Sequence, residues 1–160
     1  MVTRQGARFL GRHFACALGR GGLTDDKREG DGATPRGRHR IIGLRHRPDR
    51  LAAKRLPGYA RAIRRGDLWS DDPVDPYYNR PVRAPHPHSV ETLRRADPLY
   101  DLILITDWNM SPAIPGRGSA IFLHCWRAPR FPTAGCIAFR RTDLIWIASR
   151  LKPHSRLVIR

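Results

Sequence analysis

Three cysteines and seven histidines occur in the chain, and one pairing among them has a spacing that could do chemistry. His124 is followed by eleven residues and then by Cys136, in the stretch Thr133-Ala134-Gly135-Cys136-Ile137-Ala138-Phe139. A neutral thiol is a poor nucleophile, but an imidazole that takes its proton makes it reactive near neutral pH. Gly135 lacks a Cβ, so the backbone can bend there and a substrate carbonyl can approach the amides of Gly135 and Cys136. Those N–H groups would then form an oxyanion hole. Other readings of Cys136 stay open: a small buried hydrophobe, a disulfide partner, and a metal ligand. Strand alternation weakens the last. In Ala120–Trp126, His124 and Cys125 face opposite sides, so both cannot join Cys136 around one ion, and neither C-x-x-C spacing nor a fourth ligand is evident.

The elements that must hold these residues are clearest in the C-terminal half. Leu99–Asn109 reads as a continuous apolar strand buried on both faces, and Ala120–Trp126 as a second strand. A Pro- and Gly-bearing loop then leads into a strand at Cys136–Phe139. Leu144, Ile147, Ala148 and Leu151 recur at helical spacing, with Thr142 as expected N-cap, Asp143 in the first turn and Pro153 beyond the end. Arg156–Ile159 closes the chain as a strand. Upstream, Phe14–Leu18 and Arg38–His46 read as strands, and Pro57–Arg65 is ambiguous between helix and strand. Asp67–His88 carries five prolines and is expected to be a long loop, more often functional than idle. Many strands with one late helix predict a mainly β fold.

Composition bounds the rest. With 160 residues, 41% of them hydrophobic, the chain is long enough for one domain with a modest core. The net charge of +16 comes mostly from arginine and is spread along the chain, which favours an Arg-biased surface over a dedicated nucleic-acid partner. No apolar run approaches the roughly 20 residues of a membrane span. Arg8, Arg12 and Arg20 interrupt the N-terminal apolar stretch, so no secretory signal is evident. An odd number of cysteines leaves at least one thiol outside any intramolecular bridge, and three are too few for a disulfide scaffold.

His124 followed by Thr133-Ala134-Gly135-Cys136-Ile137 resembles the active-site signature of the L,D-transpeptidase catalytic domain family, the YkuD type. Lys27–Ile41, with Gly30-Asp31-Gly32-Ala33-Thr34-Pro35, is similar to that family's upstream segment. Gly116–His124 is similar to the strand that delivers its histidine, and Asp71–Val82 to a segment of one branch. The resemblance spans roughly residues 14–160 and implies a mixed-sheet β sandwich or cradle over those residues, with residues 1–13 as an N-terminal arm open to disorder. It implies Cys136 as nucleophile and His124 as general base and acid, acting on peptidoglycan stem peptides through a thioester. A neighbouring stem amine as acceptor gives a crosslink; water gives a carboxypeptidase. It implies neither metal nor nucleotide cofactor, acylation by carbapenems, and a place in the periplasm or cell envelope. Two departures stand out: Cys125 where many members have Gly, and Ala138 where many have Arg. Arg140, two residues on, is the expected substitute if the strand continues that far. Thr133, Arg117 and Arg80 complete the expected substrate contacts. The alternative is a basic binding module on an inactive version of the fold, held to anionic wall polymer or nucleic acid by charge.

Other residues have bland readings. His86 and His88 flank a proline in the Pro-rich loop and read as solvated. Asp71, Asp72 and Asp75 read as turn caps. Trp69, Tyr77, Tyr78 and Trp108 are divided between core and cleft, with core favoured for Trp108.

Overall fold

The computed structural model describes residues 1–153 and 155–160. Its strands, in chain order, are β1 (Val2–Thr3), β2 (Gly6–Phe9), β3 (Arg12–Phe14), β4 (Cys16–Ala17), β5 (Leu23–Thr24), β6 (Thr34–Pro35) and β7 (Gly37–His46). Then come β8 (Arg61–Ala62), β9 (Asp67–Ser70), β10 (Pro81–Arg83), β11 (Val90–Thr92), β12 (Leu102–Thr106), β13 (Phe122–Cys125) and β14 (Ile137–Phe139). The α-helix α1 (Arg141–Ala148) and the strand β15 (Arg156–Ile159) end the chain. The main sheet runs β3-β2-β1-β15-β7-β12-β13-β14-β4, with β8 also on β7. Pairs β1·β15, β7·β8 and β13·β14 are parallel and the others antiparallel, so the sheet is mixed. A small antiparallel sheet, β10-β9-β11, and the parallel pair β5·β6 complete the mainly β architecture.

β7 joins the two halves of the main sheet. Its first residues, Gly37–Arg40, pair with β15, and Gly43–His46 pair with β12. The apolar runs of β12 and β13 are buried on both faces, as their lack of alternation predicts. Leu102, Leu104, Leu123 and Cys125 face one core, shared with Leu144, Ile147 and Ala148 of α1. Ile103, Ile105 and Phe122 face the other, against Trp69 of the small sheet, Leu93 and Tyr100. His124 shares the parity of Phe122, so it faces the small sheet while Cys125 faces the helix.

Four expectations need correction. Residues 1–13 are not a loose arm: β1, β2 and most of β3 lie there, and Val2 pairs in parallel with Ile159, tying the N-terminus to the last strand. The helix begins at Arg141, with Arg140 rather than Thr142 at the N-cap and no side-chain cap there. Asp67–His88 is not loop throughout, since β9 and β10 lie within it. Leu151 lies beyond the helix end but is buried against the same core. The register also places Cys16 and Cys125 on opposite sides of Phe139, in β4 and β13. Two strand spacings, roughly 9–10 Å, exceed the reach of a disulfide. Both are free thiols.

Candidate active site

Parallel pairing of β13 with β14 places Leu123 beside Ile137 and His124 beside Ala138. Cys136, one residue before β14, therefore lies on the His124 face, one step further back along the sheet. Both residues line a cleft of about 870 Å³ bounded by the small sheet, by the loop before Cys136 and by the Lys27–Gly30 segment. The cleft walls carry Arg20, Arg95 and Arg127 together with Glu29, Asp71 and Glu91.

The turn that carries Cys136 is held from below by the distant upstream segment. Gly135 has φ +141°, a conformation that side-chain-bearing residues rarely adopt, and a Cβ there would meet Ala33 O at 3.0 Å. Thr34, fully buried, donates its hydroxyl to Gly135 O at 2.7 Å and accepts from Gly19 N at 2.9 Å. The Gly-Asp-Gly-Ala-Thr-Pro stretch and the Gly-Cys stretch, about 100 residues apart in sequence, thus form one support. Asp31 shapes the upstream part by accepting from Arg28 N, Ala33 N and the buried Lys27 ammonium. Thr133 closes the turn from above: its Oγ1 donates to Cys136 O at 2.6 Å and accepts Gly135 N at 3.1 Å.

These bonds revise the expected oxyanion hole. The Gly135 N–H is already engaged by Thr133, whereas the Cys136 N–H has no partner among the described residues. Of the two expected donors, only the Cys136 amide is free. Thr133 lines the cleft but spends its hydroxyl on the turn.

The thiol and the imidazole both rest uncharged. Cys136 Sγ lies 3.6 Å from Ala120 O, toward which it can donate, and accepts from Phe122 N at 3.4 Å. Removal from water pushes its pKa up to about 12, and the Glu91 carboxylate adds to this. His124 is pushed down to about 4, chiefly by burial, with Arg95 contributing and the bond to Cys125 O opposing. Its Nδ1 lies 2.8 Å from Cys125 O, so the proton of the neutral ring sits on Nδ1 and Nε2 is left as a base. The ring also meets Tyr100 edge-on at 5.4 Å. Tyr100 donates its hydroxyl to Glu91 at 2.6 Å, and the Arg95 guanidinium lies over its ring. The thiolate–imidazolium pair anticipated from residue types is thus not the resting state. The cleft is lined by a protonated thiol and a neutral imidazole.

Three expected substrate contacts lie elsewhere. Arg117 is exposed outside the cleft. Arg80 reaches across to Met110 O at 2.9 Å. Arg140 leaves the strand and caps α1, so it does not replace the arginine absent at Ala138, which is itself fully buried. The cleft's cations are Arg20, Lys27, Arg95 and Arg127, from four separate segments. Reading the residues by type missed Thr34, Glu91 and Tyr100. The Thr-Pro motif was the available signal for Thr34; nothing local marked the other two. The Pro-rich loop contributes Asp71 and is anchored by Asn79, which accepts from Trp69 Nε1 and donates to Trp108 O and Asn109 O. Tyr78 is buried and donates to Glu29, whereas Tyr77 is exposed. Trp108 is half-buried, not core. His86 is not a solvated loop residue: it bonds the buried Asp75 at 2.6 Å.

Among known families, the model of YkuD, the L,D-transpeptidase catalytic domain, matches residues 2–159. No curated protein and no solved structure matches the chain.

Proposed function

The chain belongs to the YkuD family of L,D-transpeptidase catalytic domains, and from that premise we propose that it transfers peptidoglycan stem peptides through a thioester on Cys136. The observation that carries this reading is the shared cleft of Cys136 and His124, with Nδ1 of His124 held by Cys125 O and Nε2 left as the base. In the first half-reaction Cys136 Sγ attacks the carbonyl of the L-to-D bond and its proton passes to His124 Nε2. The C–N bond breaks, His124 returns the proton to the departing amine, and D-alanine leaves. The free Cys136 N–H supports the developing oxyanion, a contribution of about 3 kcal/mol for one well-placed donor. In the second half an acceptor amine attacks the thioester and Cys136 leaves as thiol. Cations on the cleft wall, Arg20 and Arg127 beside the nucleophile loop, suit the carboxylates of the donor stem. Action in the cell envelope follows from this substrate.

The test is mass spectrometry of muropeptides incubated with wild type and with Cys136→Ala. Wild type releases D-alanine and gains a carbapenem adduct on Cys136, and the variant does neither. Folded, reduced wild type without adduct or product would overturn the reading. It would leave the basic binding module, whose affinity for polyanions would fall steeply with salt and ignore Cys136.

A further inference from the structure

A second cavity, of about 290 Å³, lies where the main sheet meets the small sheet and shares no lining residue with the Cys136 cleft. It is lined by Arg45 of β7, Arg61 and Ala62 of β8, Arg64, Asp67 of β9 and Arg83 of β10. Four guanidinium groups therefore meet one carboxylate, a surplus of three positive charges. The sheet register forces two of them together, because Arg45 and Arg61 are direct partners in the parallel pair β7·β8. Like charges set opposite each other destabilise a sheet. Asp67 does not answer that pair. Its Oδ1 accepts the Arg83 guanidinium and its Oδ2 accepts Arg64 N at 2.8 Å, while the Arg45 guanidinium comes no closer than 3.9 Å. Arg45 keeps only 26% of its side-chain exposure, yet its guanidinium makes no hydrogen bond among the described residues. A guanidinium that has lost most of its water and gained no acceptor is costly. Other partly buried arginines of this chain are answered at hydrogen-bond distance: Arg47 by Asp49, Arg50 and Arg141 by Asp101, Arg95 by Asp97. The cavity is thus not a sample of a generally basic surface.

We propose that this cavity binds a terminal phosphoryl group, the end of a soluble phosphate monoester or diphosphate. The planar guanidinium fork matches two oxygens of a phosphate. A terminal phosphoryl group carries about −1.5 to −2 charge at neutral pH, and a diphosphate carries more. Either answers a surplus of three better than a carboxylate or a phosphodiester, which brings a single charge. Asp67 serves the site by holding Arg83 in place, and it leaves the remaining N–H donors of the arginines to the ligand. Ala62 is the single apolar residue of the lining, so a lipid tail finds nothing to lie on. The arginines come from β7, β8, the turn after it and β10, so the bound group ties the small sheet to the main one. The site stands apart from the chemistry of Cys136.

Titration calorimetry at fixed ionic strength tests this, with pyrophosphate and dimethyl phosphate as probes. Wild type is compared with Arg45→Gln, Arg61→Gln, Arg61→Lys and Arg38→Gln. Arg38 is exposed on β7 outside the cavity, so its variant removes the same charge without touching the site. Wild type should take up one pyrophosphate, at least about tenfold more tightly than dimethyl phosphate. Arg45→Gln and Arg61→Gln should each weaken pyrophosphate about tenfold or more, the scale of a lost charge-assisted hydrogen bond. Arg61→Lys should fall between, and Arg38→Gln should bind as wild type does. Arg61 is exposed and on a two-residue strand, so its variants decide the matter even if Arg45→Gln does not fold. Pyrophosphate binding unchanged in Arg61→Gln overturns the site. An equal loss in Arg38→Gln also overturns it, because net charge alone would be read. Sedimentation with phosphatidylcholine vesicles containing phosphatidic acid is the last arm. Capture there without any binding of pyrophosphate overturns the soluble ligand. Wild type that gains no adduct on Cys136 yet binds pyrophosphate through Arg61 supports this site and separates it from the transferase reading.

Discussion

At the scale of single residues, the proposed chemistry turns on the protonation of two side chains. Thiolate-driven enzymes gain rate as their cysteine ionises. Here burial holds Cys136 protonated up to about 12 and keeps His124 neutral down to about 4. The reactive combination, thiol plus neutral imidazole, therefore exists throughout the interval between those values. The acylation rate by a carbapenem should be nearly flat from pH 6 to pH 9 and should fall only as His124 gains a proton near pH 4. Stopped-flow acylation across that range checks this, and a rate that climbs tenfold per pH unit between 7 and 9 would refute it. That His124 and Cys136 share one cleft was legible in the sequence, through residue type, spacing and strand parity. The cleft's cations were not. Arg20 reaches the nucleophile loop through a backbone bond to Thr133 that joins positions over 100 residues apart. Arg80, Arg117 and Arg140 were equally basic and face elsewhere. Glu91 and Tyr100 gain significance only because Tyr100, just before β12, bonds Glu91 of β11 and meets the His124 ring.

At the scale of elements, the helix shows where periodicity stops being informative. Apolar spacing located α1, but its start was set by the turn out of β14. Arg140 takes φ −55° and ψ 136° and its carbonyl accepts the first helical bond, from Leu144 N at 2.9 Å. An arginine in that place offers no acceptor to the free N–H groups of the first turn. Arg140→Ser should therefore stabilise the protein by about 0.5–1 kcal/mol, seen as a higher urea midpoint at unchanged slope. Because Arg140 lies outside the cleft, donor-stem KM should stay as in wild type; a large rise in KM would return Arg140 to substrate binding. The N-terminal strands were hidden for a related reason. β1, β2 and β3 are two to four residues long, too short to display alternation, and β1 joins the main sheet by pairing with β15 at the far end of the chain as well as with β2.

At the scale of the whole molecule, the fold stores two uncharged histidines inside a strongly basic chain. His124 is held at about 4, and His39 is also lowered, mainly by burial, despite Asp107 nearby. An unfolded histidine titrates near 6.5. Between those values the unfolded chain binds more protons than the folded one, so stability rises with pH across that window and is lost as pH falls through it. For His124 alone the full effect is on the order of 3 kcal/mol, a large share of a small domain's stability. Protonating histidines also adds to a net charge of +16, and self-repulsion acts in the same direction. Urea unfolding should show a plateau above pH 7 and a marked loss by pH 4.5, before most exposed carboxylates have titrated. His124→Asn should flatten that slope while His39 retains a part of it. Equal stability at pH 7.5 and 4.5 in wild type would mean that His124 takes up a proton in the folded state at its ordinary pKa. The imidazole would then already be charged in mild acid, and the flat acylation profile predicted from the neutral pair would fail with it.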